Sequence, residues 1–405
     1  ASCLVGSEMC IRDSIRTAFV STNSITQGEQ VAGVWKPLYD RFHVHIDFAH
    51  RTFIWDSEAS LKAHVHCVIV GFSQTANNNP KKLYTSDRMQ LVDNLNAYLI
   101  DAPTVFVESR SKPIYPVSAM RSGGKPVEGG NLIFTSEEKQ EFIKKEPTAE
   151  KYFRPFMGSE DFINGHARWC LWLLDVSPKE LRSIPMVMQR VEAVRKFRLA
   201  STKAATREYA NQPTRFMEIK QPESNYLIIP ATSSENRRYV PIGYLPKDVV
   251  ASNAASFVPN ATLYHFGILT SNVHMAWMRA IAGRLKSDYR YSINIVYNNF
   301  PWPTPTDEQK AKIEQTAQAI LDARALYPDS SLADLYDEVV MPPELRKAHQ
   351  DNDKAVMQAY GFTKDHPAYS SESACVAELM KMYQQKVQEL EQQEAAKKKK
   401  TTTKK

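Results

Sequence analysis

The chain has 405 residues, 43% of them hydrophobic and 10% aromatic, the composition of a globular protein long enough for two or three domains. No apolar run approaches the roughly 20 residues of a membrane helix, and no secretory signal precedes the first predicted strand. The five cysteines, Cys3, Cys10, Cys67, Cys170 and Cys375, are scattered and form no CxxC pair. That argues against a zinc site or a disulfide framework and makes a reduced cytoplasm the expected location. The net charge of +6 is matched by Lys397, Lys398, Lys399, Lys400, Lys404 and Lys405 at the C-terminus; without them basic and acidic residues balance. A case for nucleic acid therefore rests on local clustering, and the tail reads as a solvated run that adds weak, salt-sensitive attraction to phosphates.

In chain order, residues 3–14, CLVGSEMCIRDS, show neither helical nor strand periodicity and resemble translated adapter sequence, so residues 1–14 are set aside as a non-native leader. Residues 17–22, TAFVST, predict a buried strand. The following stretch predicts a loop and a helix with Val31, Val34, Trp35 and Leu38 on one stripe, and Pro37 within it predicts a kink or break. HVHIDF alternates, with His43, His45 and Asp47 on one face and Val44, Ile46 and Phe48 on the other. Residues 63–72 form a near-continuous apolar run, as in a strand covered on both faces, and the short excursion before it predicts an antiparallel pair.

From about residue 98 the texture changes. Short β-like runs (TVFVES, LIIP, RYVPIGYL, INIVYNNF) alternate with Pro, Gly and Asn turns and with helical stretches. Among the latter, residues 186–201 carry Val187, Val191, Val194 and Phe197 or Arg198 at helical spacing. After FPWPTPTD, Asp307 reads as the cap of an amphipathic helix, and further helices follow. No internal repeat is evident.

The segments FVSTNSITQGEQ, FAHRTFIW, HCVIVGF, SGGKPVEGGNLIF, GSEDFINGHARWCLWL, RRYVPIGYL, YSINIVYNNFPWP and YDEVVMPPELRKAH resemble the C-terminal half of MmeI-like enzymes, fused restriction–modification proteins that methylate adenine N6 in a specific DNA sequence. The resemblance covers roughly residues 15–362. It implies an α/β plus α+β fold: the C-terminal strands of an incomplete class I methyltransferase (Rossmann-like) sheet, an α+β target-recognition domain and a helical C-terminal region. The expected boundaries are 15–97 for the methyltransferase part, 98–305 for target recognition, 306–392 for the helical region and 393–405 for a basic disordered tail. Relatives of this kind bind S-adenosylmethionine through a Gly-rich loop after the first strand and hold the target amine with an Asn-Pro-Pro-aromatic tetrapeptide. Neither occurs here: no GxG exists, Gly123-Gly124 and Gly129-Gly130 lie far downstream, and Asn79-Pro80-Lys81 and Met341-Pro342-Pro343 do not fit. The expectation is a chain cut from the 5′ side of its gene, catalytically incompetent alone, with S-adenosylmethionine a cofactor of the full-length parent. Double-stranded DNA is its expected partner; oligomeric state is not specified by the sequence.

Enzymes that modify a base in duplex DNA extrude it and stack it on an aromatic ring. The resemblance places an aromatic in HRTFIW, read as a loop, which makes Phe53, with Trp55, the stacking candidate; the rival reading is a pair of core residues on one strand face. Asn23, after the first strand, is a pocket candidate or an ordinary turn residue. The two HxH pairs, His43/His45 and His64/His66, suit a polar sheet face better than a metal site, and no metal is expected. For DNA contact, residues 179–220 hold ten basic against four acidic side chains. Arg195, Arg198, Lys203 and Arg207, with nearby Ser and Thr hydroxyls, suit phosphates, and the alternative is a solvated helix face. Glu235, Arg237 and Arg238 form a base-reading set or an ion-paired hairpin. Arg121 and Lys125 flank glycines whose amides can approach phosphate, or simply a turn. Asn298 and Asn299 read as turn residues closing the recognition domain. Two other classes stay open: a stand-alone DNA specificity subunit working with a separate methyltransferase, and an RNA-binding or scaffold protein.

Overall fold

The computed structural model describes residues 16–56, 64–75 and 78–402. The proposed leader at 1–14 lies outside the described residues. The chain packs as two units. The first comprises residues up to Val117, Ser271–Lys312 and the residues from Asn352 onward; the second comprises Ser118–Thr270 and Ile313–Asp351.

The first unit is organised by a five-stranded sheet of β1 (Arg16–Thr22), β2 (His45–Asp56), β3 (His64–Ser73), β4 (Lys81–Tyr84) and β5 (Met89–Val92), in the order β1-β3-β2-β4-β5. The apolar run in β3 belongs at the centre: Cys67, Val68 and Val70 are buried, and β1 and β2 both pair with β3 antiparallel. TAFVST is a strand but is not buried: an incomplete sheet leaves it as an exposed apolar edge. β1 is an edge strand in the described sheet, with Phe19 44% and Val20 58% exposed, because only one side of it is laddered and its apolar side chains lack cover.

Helix α1 (Gly28–Phe42) buries Val31 and Trp35 against this sheet, and Trp35 Nε1 donates to Ile25 O at 2.8 Å. Val34 of the predicted stripe is exposed. Pro37 does not break the helix; Gly33, whose carbonyl loses its usual donor, is exposed and open to water. The helix ends on His43 in the left-handed region (φ 52), with His43 N donating to Tyr39 O and Val44 N to Leu38 O, so the last carbonyls are satisfied by the reversed chain. His43 is therefore a helix cap and not part of a strand face. His45 pairs with Ser73 and His66 with Ile54, at opposite ends of the β2–β3 ladder.

The rest of the first unit is held by buried polar side chains. The β-like run TVFVES forms no strand. Its neighbourhood is fastened by Asn298 Nδ2 to Arg110 O (2.7 Å), Asn299 Nδ2 to Glu108 O (2.9 Å) and Val107 N to the Tyr98 hydroxyl (3.0 Å). Asn298 and Asn299 are thus buried clamps rather than simple turn residues. INIVYNNF is likewise not a strand: Ile293–Tyr297 is a turn of π-helix whose Val296 O accepts from Trp277 Nε1 at 3.1 Å. Helix Asn272–Ile281 packs on helix Glu372–Thr402, with the Trp277 and Tyr383 rings 5.9 Å apart. That last helix continues through Thr402, so most of the predicted disordered tail is helical. Thr306 rather than Asp307 caps helix Asp307–Ala325, in a reciprocal box with Gln309.

The second unit holds two four-stranded sheets. One is ordered β13-β8-β9-β7, from β7 (Ile133–Thr135), β8 (Phe153–Met157), β9 (Arg168–Leu171) and β13 (Val250–Ala251). The other is ordered β12-β10-β14-β6, from β6 (Arg121–Ser122), β10 (Tyr226–Pro230), β12 (Gly243–Leu245) and β14 (Ala255–Pro259). Helix α2 (Pro185–Leu199) lays Val187, Val191 and Val194, as the spacing predicts, against Phe134, Leu171 and Phe216.

Arg198 corrects the charge reading. It is 0% exposed, and its guanidinium donates to the carbonyls of Val127 (2.9 Å), Pro126 (3.2 Å), Tyr209 (3.1 Å), Gln212 (2.9 Å) and Arg215 (2.6 Å). A side chain so engaged is unavailable to DNA; it ties the loop after α2 to residues 126–127. Arg198→Met leaves those carbonyls without donors in the interior, and should cost about 3 kcal/mol or more in urea unfolding of the second unit. A loss below about 1 kcal/mol would refute the clamp.

Two fully buried histidines add a pH dependence. His274, in the first unit, bonds through Nε2 to the Tyr291 hydroxyl (2.9 Å), and burial pushes its pKa down to about 3. His349, in the second, bonds to the Tyr336 hydroxyl (2.7 Å) and stacks on Tyr239; burial, then the Arg324 and Arg238 charges, hold it well below the ordinary range. The folded state keeps both imidazoles neutral, whereas the unfolded chain takes up protons below about pH 6.5. Stability should be full above that pH and fall as pH drops below it, by about 1.4 kcal/mol per pH unit for each histidine, continuing to about pH 3 for His274. Unfolding free energies measured from pH 7 to 4 test this; His349→Gln should flatten the profile of the second unit.

Candidate nucleic-acid-binding site

In the first unit the site is built on an irregularity in β2. His50 pairs with Ile69 and Phe53 with Cys67, so three steps along β2 match two along β3. One extra residue lies between them, a β-bulge. In a regular strand His50 and Phe53 would point to opposite faces. Here their rings meet edge to face at 5.0 Å. His50 also lies parallel to Tyr84 on neighbouring β4, with centroids 6.5 Å apart, and Phe53 lies 6.3 Å from Trp55. The result is a row of four rings, Tyr84, His50, Phe53 and Trp55. HRTFIW is strand and not loop. Phe53 is half-buried and Trp55 is 53% exposed, so the pair lies on a strand face without being enclosed in the core. His50 and Tyr84 were not legible as members of this row, because the bulge that aligns them leaves no sign in the residue pattern.

At the end of β1, Asn23 is buried with Nδ2 lacking a hydrogen-bond partner, while its carbonyl accepts from Thr26 Oγ1 at 2.9 Å. An unpaired buried amide is costly and marks a place where a ligand acceptor fits. Among the described residues no His, Cys, Asp or Glu cluster is arranged to hold a metal ion.

In the second unit, the segment pinned by Arg198 includes a short helix, Ala204–Glu208, and carries Lys203 and Arg207, both exposed. Arg207 Nη1 donates to Ser201 O (2.8 Å) and Thr202 O (2.9 Å), which orients its guanidinium. Arg195 is exposed and ion-paired with Glu192 at 3.2 Å. Lys125 is exposed on the segment that Arg198 also holds, its backbone paired with Glu218. Arg121 is exposed on β6. The neighbouring glycines do not offer amides to phosphate. Gly123 N donates to Ala255 O and Gly124 N to Ala251 O, and a methyl at Gly123 would overlap the carbonyls of Ala251 and Ser252. Their role is close backbone packing. Glu235 and Arg238 are exposed on a turn closed by Arg237 N to Ser234 O (3.2 Å); Arg237 is half-buried.

No helix among the described residues is long and apolar enough to cross a membrane. Comparison with known proteins matches three family profiles along the chain: the MmeI DNA-methyltransferase domain over residues 3–85, the MmeI target recognition domain over 101–304 and the MmeI C-terminal domain over 305–391. DNA methyltransferase A of Bacillus subtilis (strain 168) is 37% identical over 380 residues, 94% of this chain and 42% of that protein. The solved structure of the Type IIL restriction-modification enzyme MmeI in complex with DNA superposes with a TM-score of 0.86 at 47% identity, covering 92% of this chain and 50% of that one. The chain thus spans half or less of the length of these relatives. With the target recognition profile alone matching half of its residues, the chain belongs to the MmeI family.

Proposed function

We propose that the chain recognises double-stranded DNA and supplies the base-stacking wall of a site-specific adenine-N6 methyltransferase of a restriction–modification system, acting in the cytoplasm. The observation that carries this is the ring row: a half-buried Phe53 and an exposed Trp55 on one face of β2, joined by His50 across a bulge, in the segment that matches the methyltransferase profile. A base turned out of a duplex needs a flat apolar surface beside the reacting edge, and Phe53 offers one. Asn23 is the pocket residue, its free Nδ2 a donor for an acceptor on base or cofactor.

Target recognition belongs to residues 98–305. Lys203, Arg207, Arg195, Lys125 and Arg121 meet phosphates, and Glu235, Arg237 and Arg238 reach base edges. The DNA bound in the solved relative supports this partner. S-adenosylmethionine supplies the methyl group in the longer protein. The Gly-rich loop and the Asn-Pro-Pro-aromatic tetrapeptide of such enzymes do not occur in this sequence, so methyl transfer by this chain alone is not expected.

Affinity for a duplex should fall with salt, roughly tenfold or more between 50 and 200 mM if several phosphates are contacted. Fluorescence anisotropy reads this, and a flat response would remove the phosphate assignment. In the active full-length protein, Phe53→Ala should lower methylation efficiency by about 1–3 kcal/mol, the range for loss of a base–aromatic stack. Unchanged rates would return Phe53 to a structural role. Labelled S-adenosylmethionine with the present chain alone should give background incorporation.

A further inference from the structure

The same bulge that aligns the rings turns Arg51 and Thr52 into a different environment. Both line a cavity of about 370 Å³ within the first unit, together with Gln27, Arg279, Arg284, Tyr289, Glu372 and Ser373. Three guanidiniums face one carboxylate. Glu372 is taken by Arg279, which grips it through Nε (2.8 Å) and Nη2 (2.7 Å). Arg284 lies over the Tyr289 ring at 4.2 Å and donates to Ser287 O at 2.7 Å, so its head group is held in place.

Arg51 is the unusual member. Its Nε donates to Leu99 O at 3.0 Å, and its terminal nitrogens have no protein partner among the described residues. Burial, then the Arg88 charge, makes its ionised form less comfortable than usual. Leu99 itself sits at φ 57, a conformation a leucine adopts only under constraint, and the carbonyl it presents there orients the guanidinium. A desolvated arginine aimed into a cavity and backed by a strained carbonyl is arranged for an anion. The remaining lining of Thr52, Ser373 and Gln27 supplies neutral donors of the kind that complete phosphate sites.

We propose that this cavity binds a phosphate group, with Arg51 as the principal ligand and Arg284 supporting it, and that the phosphate belongs to the DNA backbone beside the base stacked on Phe53. Arg51 and Phe53 lie two residues apart on β2, on opposite faces because of the slip, and β4 pairs with β2 only as far as His50, so a nucleotide at that edge meets the ring on one face and the guanidinium on the other. The identity of the phosphate as DNA rests on the methyltransferase reading above. The presence of an oxyanion site does not.

The test therefore has two arms, both on the full chain. In the first, inorganic pyrophosphate is added during thermal unfolding. The midpoint should rise with concentration, and Arg51→Gln should abolish the rise while the variant stays folded by circular dichroism. Should Arg51→Gln fail to fold, Arg284→Gln and Thr52→Val carry the arm, each expected to reduce the shift. No shift in the unaltered chain, or an equal shift in folded variants, overturns the site. In the second arm, duplex binding is measured against salt. The slope of log affinity on log salt should fall by about one in the Arg51 variant. A lost pyrophosphate response with an unchanged DNA slope overturns the backbone assignment, because the site then takes a free oligophosphate. Failure of the unaltered chain to bind duplex overturns both that assignment and the function proposed above, with the pyrophosphate arm still deciding whether the cavity is an anion site.

Discussion

Strand β2 slips twice against β3, between Ile46 and Phe48 and between His50 and Phe53, and the second slip sets the geometry of the site in the first unit. Strand side chains alternate with a period of two, so residues three apart cannot share a face unless the ladder slips. The slip between the His50–Ile69 and Phe53–Cys67 pairs brings His50 and Phe53 together, and with them Tyr84 and Trp55. It also leaves Arg51 and Thr52 to line a cavity instead of continuing the row. Pairing the same residues without the slip would put His50 and Phe53 on opposite faces and shift every side chain beyond them to the other side. Strand β3 makes the bulge tolerable: it is buried through Cys67, Val68 and Val70 and paired on both edges, so the slip is absorbed by β2 alone.

Both units rely on polar side chains to hold irregular backbone. A loop that leaves sheet and helix must find partners for each N–H and C=O, and an interior carbonyl without one costs on the order of 1–3 kcal/mol. In the second unit Arg198 meets five such carbonyls from two segments. In the first, Asn298 and Asn299 serve the extended residues around Glu108 and Arg110. In the second unit Arg198 is buried while Lys203 and Arg207, on the segment it holds, are exposed. In the proposed reading that division matters, because a loop fixed in advance loses less conformational entropy when Lys203 and Arg207 meet phosphate.

Much of this was legible in the residue order, and the failures share a cause. The valine stripe of α2, the apolar β3 run and the helices after Thr306 follow period and propensity, which are local. INIVYNNF carries β-branched residues and reads as a strand, yet tertiary packing around Trp277 turns it into a π-helix. TAFVST reads as buried because its composition is apolar, while burial depends on what lies beside it. Counting charges between residues 179 and 220 put Arg198 with the surface cations, since a tally of guanidiniums contains nothing about which one meets five carbonyls. The bulge was invisible for the same reason: register belongs to a pair of strands, not to one.

Magnitudes favour a divided task at the proposed site. Extruding a base costs a few kcal/mol in lost stacking and pairing. A single aromatic stack returns about 1–3 kcal/mol, which is at best a near balance. A ring alone would leave the nucleotide in exchange with the duplex. A charge-assisted contact to its phosphate adds about 1.5–3 kcal/mol when the arginine is already desolvated and oriented, since most of the ordering cost has been met during folding. Arg51 satisfies that condition through Leu99 O, and Phe53 satisfies the stacking condition through the same strand. The bulge is therefore more than a defect in pairing: in the proposed reading it gives one short run of β2 a ring row on one face for the base and a guanidinium on the other for the phosphate beside it.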